Sequence, residues 1–158
     1  RRRRGRAPTA MGICACRKRT DLFCFDHKKA VCEVCMLHDH ATCPVKTYRE
    51  WLDDSEYAVP TCGVCHNHFT PDDVLRLCCY DLVHPGCLDV YAQALPPNTP
   101  RHAYKCPTCA AALFPARHTG EPVNSRLLAH FKRSPWAATV LVGLPTEHDA
   151  ASLLDAAA

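Results

Sequence analysis

Closely spaced cysteine and histidine residues constrain the fold of this chain more than any other feature. They form two consecutive sets of eight potential metal ligands, and the second set includes an aspartate. The first set is Cys14, Cys16, Cys24, His27, Cys32, Cys35, His40 and Cys43, and the second is Cys62, Cys65, Cys79, Asp81, His84, Cys87, Cys106 and Cys109. Because a structural zinc site takes four ligands, these sixteen residues predict four Zn²⁺ ions, two in each set.

A disulfide framework is the main alternative for a chain with 13 cysteines. Three observations count against it. The cysteine number is odd, and the histidines recur at ligand spacing. The arginine run at the N-terminus is also not followed by the apolar stretch of a secretory signal. We therefore favour metal binding in a reducing compartment.

The two ligand sets lie in segments of about 30 and 48 residues, each too short to be stabilised by a hydrophobic core alone. A structural zinc ion contributes roughly 10–16 kcal/mol of apparent binding free energy, which becomes folding free energy when the metal-free chain is unfolded. The expected fold class is a small zinc-stabilised α+β protein with little hydrophobic core.

The basic charge does not predict a nucleic-acid partner. The formal charge is +3 before metal binding; twelve thiolates subtract twelve charges and four Zn²⁺ ions add eight, which leaves −1. The remaining basic patch at Arg17, Lys18 and Arg19 is read as a solvated face beside thiolate sites. The 12-residue gap of a C2H2 finger is absent as well, so no nucleic-acid partner is expected.

Asp81 is the least obvious ligand, because a second-set site needs an eighth donor and only seven are Cys or His. A carboxylate is an acceptable zinc ligand, and Asp81 lies between Cys79 and His84, where this donor belongs. In the alternative, Asp81 is a solvent-facing turn residue, and water or Cys78 completes the site. We prefer Cys79 to Cys78 as the neighbouring ligand, and His40 to His38 in the first set.

Outside the ligands, helical spacing of Tyr48, Trp51 and Leu52 predicts a helix that connects the modules, with Trp51 as a packing anchor. A second helix is predicted over residues 123–133 and stops at Ser134-Pro135; it packs on the second module or, alternatively, contacts a membrane surface. Leu113, Phe114 and Pro115 are expected to pack on the second module. The histidines outside the ligand sets are interpreted as surface residues: His66, His68, His102, His118, His130 and His148.

The expected domain organisation has six parts. Residues 1–10 are a disordered basic leader or lie before the true start, for which Met11 is a candidate, and residues 11–44 form the first zinc module. The connecting helix occupies 45–60, the second zinc module 61–115, and a helical extension 116–145. The stretch 146–158, with a capping-box pattern at Thr146 and Asp149, is the tail of a fragment. No run of eighteen apolar residues occurs, so no membrane span is expected in this chain.

The spacing of the second set resembles that of a RING finger, and the first set resembles a B-box. This resemblance implies a cross-brace, in which ligands one, two, five and six of each set hold one ion and the other four hold the second. It pairs Cys14, Cys16, Cys32 and Cys35; Cys24, His27, His40 and Cys43; Cys62, Cys65, His84 and Cys87; and Cys79, Asp81, Cys106 and Cys109. The opening Cys14-x-Cys16 is one residue tighter than the usual B-box pair.

The order of the modules and the motifs MGICAC, LFCFDH, VCEVC, CYDLVHPGC, LPPNTP, YKCPTC and LFP closely resemble the zinc finger protein-like 1 family from about Met11 to Pro145. The resemblance implies a Golgi membrane protein with a C-terminal anchor and zinc modules facing the cytosol. It also implies a role in cis-Golgi integrity and vesicle transport, and a golgin-type partner.

Two functions follow for the zinc modules, and neither uses zinc catalytically, because a closed four-ligand site has no position for substrate. The favoured one is a scaffold for protein–protein interaction. The alternative is a RING-type ubiquitin ligase, which docks a ubiquitin-conjugating enzyme in a groove at Val64, Tyr91 and Pro107. These residues could equally be ordinary packing around the zinc sites. Active RING fingers commonly carry Arg or Lys after the last ligand, where this chain has Ala110.

Overall fold

The computed structural model describes residues 12–53, 58–114 and 122–142. Short strands and helices alternate along these residues, as expected for an α+β chain. In order they are β1 (Gly12–Ile13), β2 (Arg19–Thr20), β3 (Leu22–Cys24), β4 (Lys29–Ala30), α1 (Glu33–His38), β5 (Val45–Thr47), α2 (Tyr48–Asp53), β6 (Leu75–Arg76), β7 (Leu82–Val83), α3 (Pro85–Gln93), a 3₁₀ turn (Arg101–Ala103), α4 (Pro122–Phe131) and α5 (Pro135–Leu141). The N-terminal leader, Met11, Pro115, His118, His148 and the tail with Thr146 and Asp149 lie outside the described residues.

The first module is built on a three-stranded antiparallel sheet in the order β4-β3-β5, beside the β1-β2 hairpin. The central strand β3 is buried along its whole length, as expected for a strand with neighbours on both sides. Its residue Phe23 pairs with Ala30 on one side and Lys46 on the other. The Thr20 hydroxyl donates a 2.9 Å hydrogen bond to the Val31 carbonyl and so links β2 of the hairpin to the residue that follows β4.

Helix α2 begins with a capping box formed by Thr47 and Glu50. The Glu50 carboxylate accepts hydrogen bonds from the Thr47 amide (2.8 Å) and hydroxyl (2.6 Å), and the Glu50 amide donates to the Thr47 hydroxyl (3.3 Å). Trp51 packs on Phe23 with ring centroids 4.8 Å apart and stacks on Tyr48 at 5.4 Å. The predicted helix and anchor are present, but the helix begins at Tyr48 rather than at residue 45, because Val45–Thr47 pair with β3 as strand β5 of the first module. The aromatic residues of α2 pack on the sheet of that module.

The second module contains the β6-β7 hairpin and helix α3, which starts at Pro85 directly after His84. Proline is favoured in the first turn because its missing N–H is not needed there. Leu88 and Ala92, four residues apart on α3, are buried against the hairpin. Leu113 and Phe114 join this core, as the sequence predicts, with exposed fractions of 0% and 6%.

The C-terminal extension forms two helices, and the second was not predicted. Helix α4 lies between the modules, where it contacts α1 and β6, and α5 packs on α3 and α4. Helix α4 ends at Phe131, before the predicted stop at Ser134-Pro135, and these two residues form the N-terminus of α5. Helices α4 and α5 bury four apolar side chains against the modules, those of Val123, Leu127, Phe131 and Ala137. They therefore increase the buried apolar area beyond what each zinc module has alone.

The interpretation of His130 as a surface residue was wrong. Its ring is buried, and Nε2 lies 3.1 Å from the Asp89 carboxylate on α3. The same carboxylate oxygen accepts hydrogen bonds from Ser134 Oγ and Trp136 Nε1, both at 2.7 Å. These three donors, which we call the Asp89 clamp, fasten α4 and α5 to α3. None of the helices in the described ranges has the length and apolarity needed to span a membrane.

Candidate metal centres

Potential metal ligands meet in four groups of four, and in each group the donor atoms all lie within 4.8 Å of one another. Each group combines two ligand pairs that are separated in the chain by a pair belonging to another group, which is a cross-brace. We number them centre 1 (Cys14, Cys16, Cys32, Cys35), centre 2 (Cys24, His27, His40, Cys43), centre 3 (Cys62, Cys65, His84, Cys87) and centre 4 (Cys79, Asp81, Cys106, Cys109). All sixteen residues that the sequence singles out are thus placed in these groups.

Distances between donors fit one zinc ion per group. Zn–S and Zn–N bonds of about 2.3 and 2.0–2.1 Å place tetrahedral donors roughly 3.3–3.8 Å apart. Cys16 and Cys32 have their sulfurs 3.5 Å apart. The Cys65 sulfur lies 3.3 Å from His84 Nδ1, and the Asp81 Oδ2 atom lies 3.5 Å from the Cys106 sulfur. The four groups can therefore each hold a zinc ion through thiolate, imidazole or carboxylate donors.

Centre 1 joins the loop of the β1-β2 hairpin to the N-terminus of α1. Burial alone would raise the Cys14 pKa, but hydrogen bonds from the backbone of Cys16 and Cys32 lower it to about 6. Hydrogen bonds with the neighbouring thiols of Cys14 and Cys32 raise the Cys35 pKa to about 12. One thiolate in the group thus opposes ionisation of the next, and a divalent cation removes that conflict.

Centre 2 is the most buried of the four, because Cys24 comes from the central strand β3 and His40 and Cys43 from the loop that leads to β5. The Nδ1 atoms of His27 and His40 lie 3.1 Å apart, and His27 Nδ1 lies 3.3 Å from the Cys24 sulfur and 3.6 Å from the Cys43 sulfur. Burial, followed by the charge of His27, lowers the His40 pKa. A neutral imidazole is the form that binds metal, so this environment suits a ligand.

Centre 3 shows how the second module orients an imidazole ligand. His84 directs Nδ1 at the Cys65 sulfur, while Nε2 lies 3.1 Å from the His68 carbonyl oxygen and donates to it in the Nδ1-ligand tautomer. A second hydrogen bond of this kind fixes the ring of a metal-ligating histidine. Burial would raise the Cys62 pKa, but hydrogen bonds from the backbone of Cys65 and His84 lower it to about 6.

Centre 4 contains the carboxylate that the sequence analysis favoured. Asp81 Oδ2 lies 3.4 Å from the Cys79 sulfur, while Oδ1 accepts a hydrogen bond from Lys46. Burial would raise the Asp81 pKa, but hydrogen bonds from Cys109 and Lys46 lower it below its ordinary value. Asp81 is half-buried rather than solvent-facing. Cys78 lies outside the group, with its sulfur 3.3 Å from Asn124 Oδ1 on α4.

The turns that hold the ligand pairs have a common backbone geometry. Arg17, Lys28, His66 and Ala110 each follow the second ligand of a pair, and all four have positive φ, between 50° and 69°. In centres 3 and 4 the amide of this residue donates a hydrogen bond to the carbonyl oxygen of the first cysteine of the pair. The distances are 2.8 Å from His66 to Cys62 and 3.0 Å from Ala110 to Cys106. Left-handed backbone costs a non-glycine residue about 1 kcal/mol, so ligand placement outweighs local strain here.

The remaining predicted site residues occupy the surface of the second module. Val64 and Tyr91 are half-buried and pack on its apolar core, and Pro107 is also half-buried. His38, His66, His68 and His102 are exposed.

The sequence analysis missed two cations, Lys46 and Arg76. Lys46 donates to the Asp81 carboxylate, and Arg76 is 4% exposed. No motif marks either residue; the one signal was an arginine at the buried position of a short apolar run, LRL.

Comparisons with known proteins agree with this arrangement. Residues 11–54 match the family model described as "ZFPL1-like, B-box zinc-binding domain", and residues 61–134 match "ZFPL1-like, U-box domain". Zinc finger protein-like 1 of Homo sapiens is 43% identical over 137 residues, 85% of this chain and 44% of that protein. The homolog of Nematostella vectensis is 42% identical over 137 residues, 85% of this chain and 54% of its own length.

A third relative, the Dictyostelium discoideum homolog, is 42% identical over 134 residues, 83% of this chain and 38% of its own length. This chain therefore spans between about two fifths and about half of the length of these relatives. No solved structure matches it significantly. With both of its modules matched by models of one family, and with four groups of zinc-type ligands in the corresponding segments, the chain belongs to the zinc finger protein-like 1 family.

Proposed function

We propose that this chain is a zinc-stabilised scaffold for protein–protein interaction, with the sixteen residues of centres 1–4 as its metal ligands. The observation that carries the proposal is that each centre supplies four protein donors. A four-coordinate zinc ion with four protein ligands has no open position for water or substrate, so its contribution is to folding. Zinc here holds surfaces in place for partners to bind.

We further propose that the scaffold acts at the Golgi membrane, in cis-Golgi integrity and vesicle transport, with a golgin-type partner and with the zinc modules facing the cytosol. Membership of the zinc finger protein-like 1 family supports this part of the proposal. Epitope-tagged protein expressed from its own gene should co-localise with a cis-Golgi marker. The purified chain should also bind a golgin coiled coil in a titration. A cytosolic distribution together with no measurable golgin binding would contradict this assignment.

A RING-type ubiquitin ligase is the second candidate function. Two observations favour it: Val64 and Tyr91 are half-exposed on the second module, and the neighbouring Val90 on α3 is 66% exposed. Against it, Ala110 follows the last ligand Cys109 and lacks the cationic side chain that commonly holds ubiquitin in active RING fingers. Exposed apolar residues beside a zinc site are also expected in a scaffold, where they would contact a partner protein other than a conjugating enzyme.

Lysine discharge distinguishes the two functions. The zinc-loaded chain is added to a panel of conjugating enzymes charged with ubiquitin, and release of ubiquitin to free lysine is followed. We expect no acceleration by any enzyme in the panel. Acceleration that is lost in Val64→Ala and retained in Val34→Ala would overturn the scaffold proposal, because each variant shortens the valine before the second cysteine of a Cys-x2-Cys pair, in the second module and in the first.

A further inference from the structure

The two zinc modules are joined by Lys46, which extends from β5 of the first module into centre 4 of the second. Its ammonium lies 2.5 Å from Asp81 Oδ1 and 3.2 Å from the Cys79 carbonyl oxygen. The two side chains are 29% and 12% exposed, so the pair is largely shielded from water. Because Asp81 Oδ2 faces the sulfurs of Cys79 and Cys106, the Lys46 contact to Oδ1 sets the direction in which the carboxylate points.

Arg76 makes a second connection, from β6 to the ligand loop of centre 2. One terminal nitrogen donates to the carbonyl oxygens of His40 (3.0 Å), Ala41 (3.1 Å) and Cys43 (3.0 Å). The other donates to the Tyr80 carbonyl at 2.9 Å. Tyr80 is the residue between ligands Cys79 and Asp81, and its φ is 68°. A single guanidinium therefore contacts the backbone of ligand segments from two different centres.

Charge balance explains why a buried arginine and a half-buried lysine lie at this junction. Within the described ranges, no carboxylate lies within salt-bridge distance of Arg76. Isolated buried cations are strongly disfavoured, so a source of negative charge must lie nearby. Three thiolates and one carboxylate around Zn²⁺ give centre 4 a formal charge of −2, which Lys46 and Arg76 together offset.

We propose that centre 4 is completed by the first module, with Lys46 and Arg76 as positioning residues that couple metal binding in centre 4 to that in centre 2. The second module thus holds its full metal complement only while docked on the first. This inference goes beyond the scaffold function, and it holds whether the partner is a golgin or a conjugating enzyme. A plain surface ion pair at Lys46 would contribute little to stability and would leave the metal unaffected.

The first test follows centre 4 by ¹¹³Cd NMR of the full chain loaded with cadmium. The four centres have different donor sets, S₄, S₂N₂, S₃N and S₃O, so each gives a separate resonance. Lys46→Met should move the S₃O resonance and speed chelator-induced loss of that ion about tenfold, the lower end of the effect of outer-shell changes on metal affinity. Lys132→Met, which removes an exposed lysine after α4, is the matched control. It should change neither the position of the S₃O resonance nor the rate at which that ion is lost.

The second test measures the coupling. Cys24→Ser weakens centre 2, and the ¹¹³Cd resonance of centre 4 in the cadmium-loaded variant is then followed over time after a chelator is added. We expect centre 4 to lose its ion about tenfold faster in this variant, and Arg76→Lys, which keeps the charge and loses the forked contacts, to do the same. If Arg76→Lys does not fold, Lys46→Met decides. Release of the centre 4 ion within twofold of wild type in Lys46→Met and in Cys24→Ser would overturn the proposal.

Discussion

Asp89→Ala should release α5 from the second module, since the Asp89 clamp joins α3 to the C-terminal helices through three hydrogen bonds. One carboxylate oxygen accepts three hydrogen bonds, from Trp136 and Ser134 at 2.7 Å and from His130 at 3.1 Å. Burial would raise the Asp89 pKa, but the hydrogen bonds from Trp136 and Ser134 lower it, so the carboxylate is the form that the fold stabilises. The substitution leaves three donors without their acceptor.

The magnitude follows from these bonds. Hydrogen bonds to a charged group contribute about 1.5–3 kcal/mol each, but the three donors share one oxygen on a carboxylate that is 26% exposed. About 1 kcal/mol for each gives a total near 3 kcal/mol, which is roughly a hundredfold increase in local opening of α5. Asp89→Asn keeps an acceptor oxygen but removes the charge, so we expect about a third of the destabilisation caused by Asp89→Ala.

Hydrogen-exchange mass spectrometry of the peptide that covers residues 135–142 measures this opening directly. Asp72→Ala, at an exposed position, is the control and should leave exchange in α5 unchanged. Exchange in Asp89→Ala within about threefold of wild type would refute the reasoning. It would mean that stacking of Trp136 on Tyr104, with centroids 5.4 Å apart, holds the helix without the clamp.

Three further substitutions test local structure. Trp51→Ala removes the half-buried indole that packs on Phe23 at 4.8 Å, and should cost about 2–3 kcal/mol in urea unfolding at fixed free zinc; a loss below about 1 kcal/mol would contradict its role as an anchor. Ala110→Gly relieves a φ of 60° and should stabilise the zinc-loaded chain by about 0.5–1 kcal/mol, seen as a higher Tm, whereas a lower Tm would argue against strain in this turn. Thr47→Val removes the hydroxyl of the capping box and should raise hydrogen exchange in α2 by a factor equivalent to about 1 kcal/mol, and unchanged exchange would show that Glu50 caps the helix alone.

The cross-braced zinc modules could be predicted from sequence because their information is local and chemically scarce. A Cys-x2-Cys pair binds one ion through a single tight turn, and the turn requires little from the rest of the chain. The same applies to helix α2, whose spacing at Tyr48 and Trp51 is visible in six residues. Resemblance to RING fingers and B-boxes supplied the order in which the pairs combine.

The position of Cys78 depends on contacts far away in the chain. Cys78 lies with its sulfur 3.3 Å from the Asn124 oxygen on α4 and 3.5 Å from the Leu113 carbonyl. Neither contact can be read from the spacing of adjacent cysteines. The spacing argument favoured Cys79 through Asp81, and the structure places those two residues in the same group.

Helix α5 was missed although a local signal existed. Ser134-Pro135 was interpreted as the end of α4, yet serine and proline at these positions are also favoured at a helix N-terminus. The apolar residues that follow, Trp136, Ala137 and Val140, have helical spacing. His130 was misjudged for the same reason, because its burial depends on the contact that α5 and α3 make through Asp89.

The junction between the modules could not be predicted. Lys46 meets Asp81 over 35 positions and Arg76 meets His40 over 36 positions, and neither cation has a motif. Such contacts form where two modules that are distant in sequence dock on each other, and this docking depends on shape rather than on periodicity.

Native mass spectrometry of the zinc-loaded chain, compared with Asp81→Ala, tests the central claim most directly. Four groups of four ligands, one completed by a carboxylate, predict four zinc ions per wild-type chain and three in the variant. At a given charge state each Zn²⁺ replaces two protons, so the bound wild type must exceed the metal-free chain by the mass of four zinc ions less eight protons. Fewer than four ions in the wild type, or an unchanged count in Asp81→Ala, would contradict the assignment of these residues as ligands.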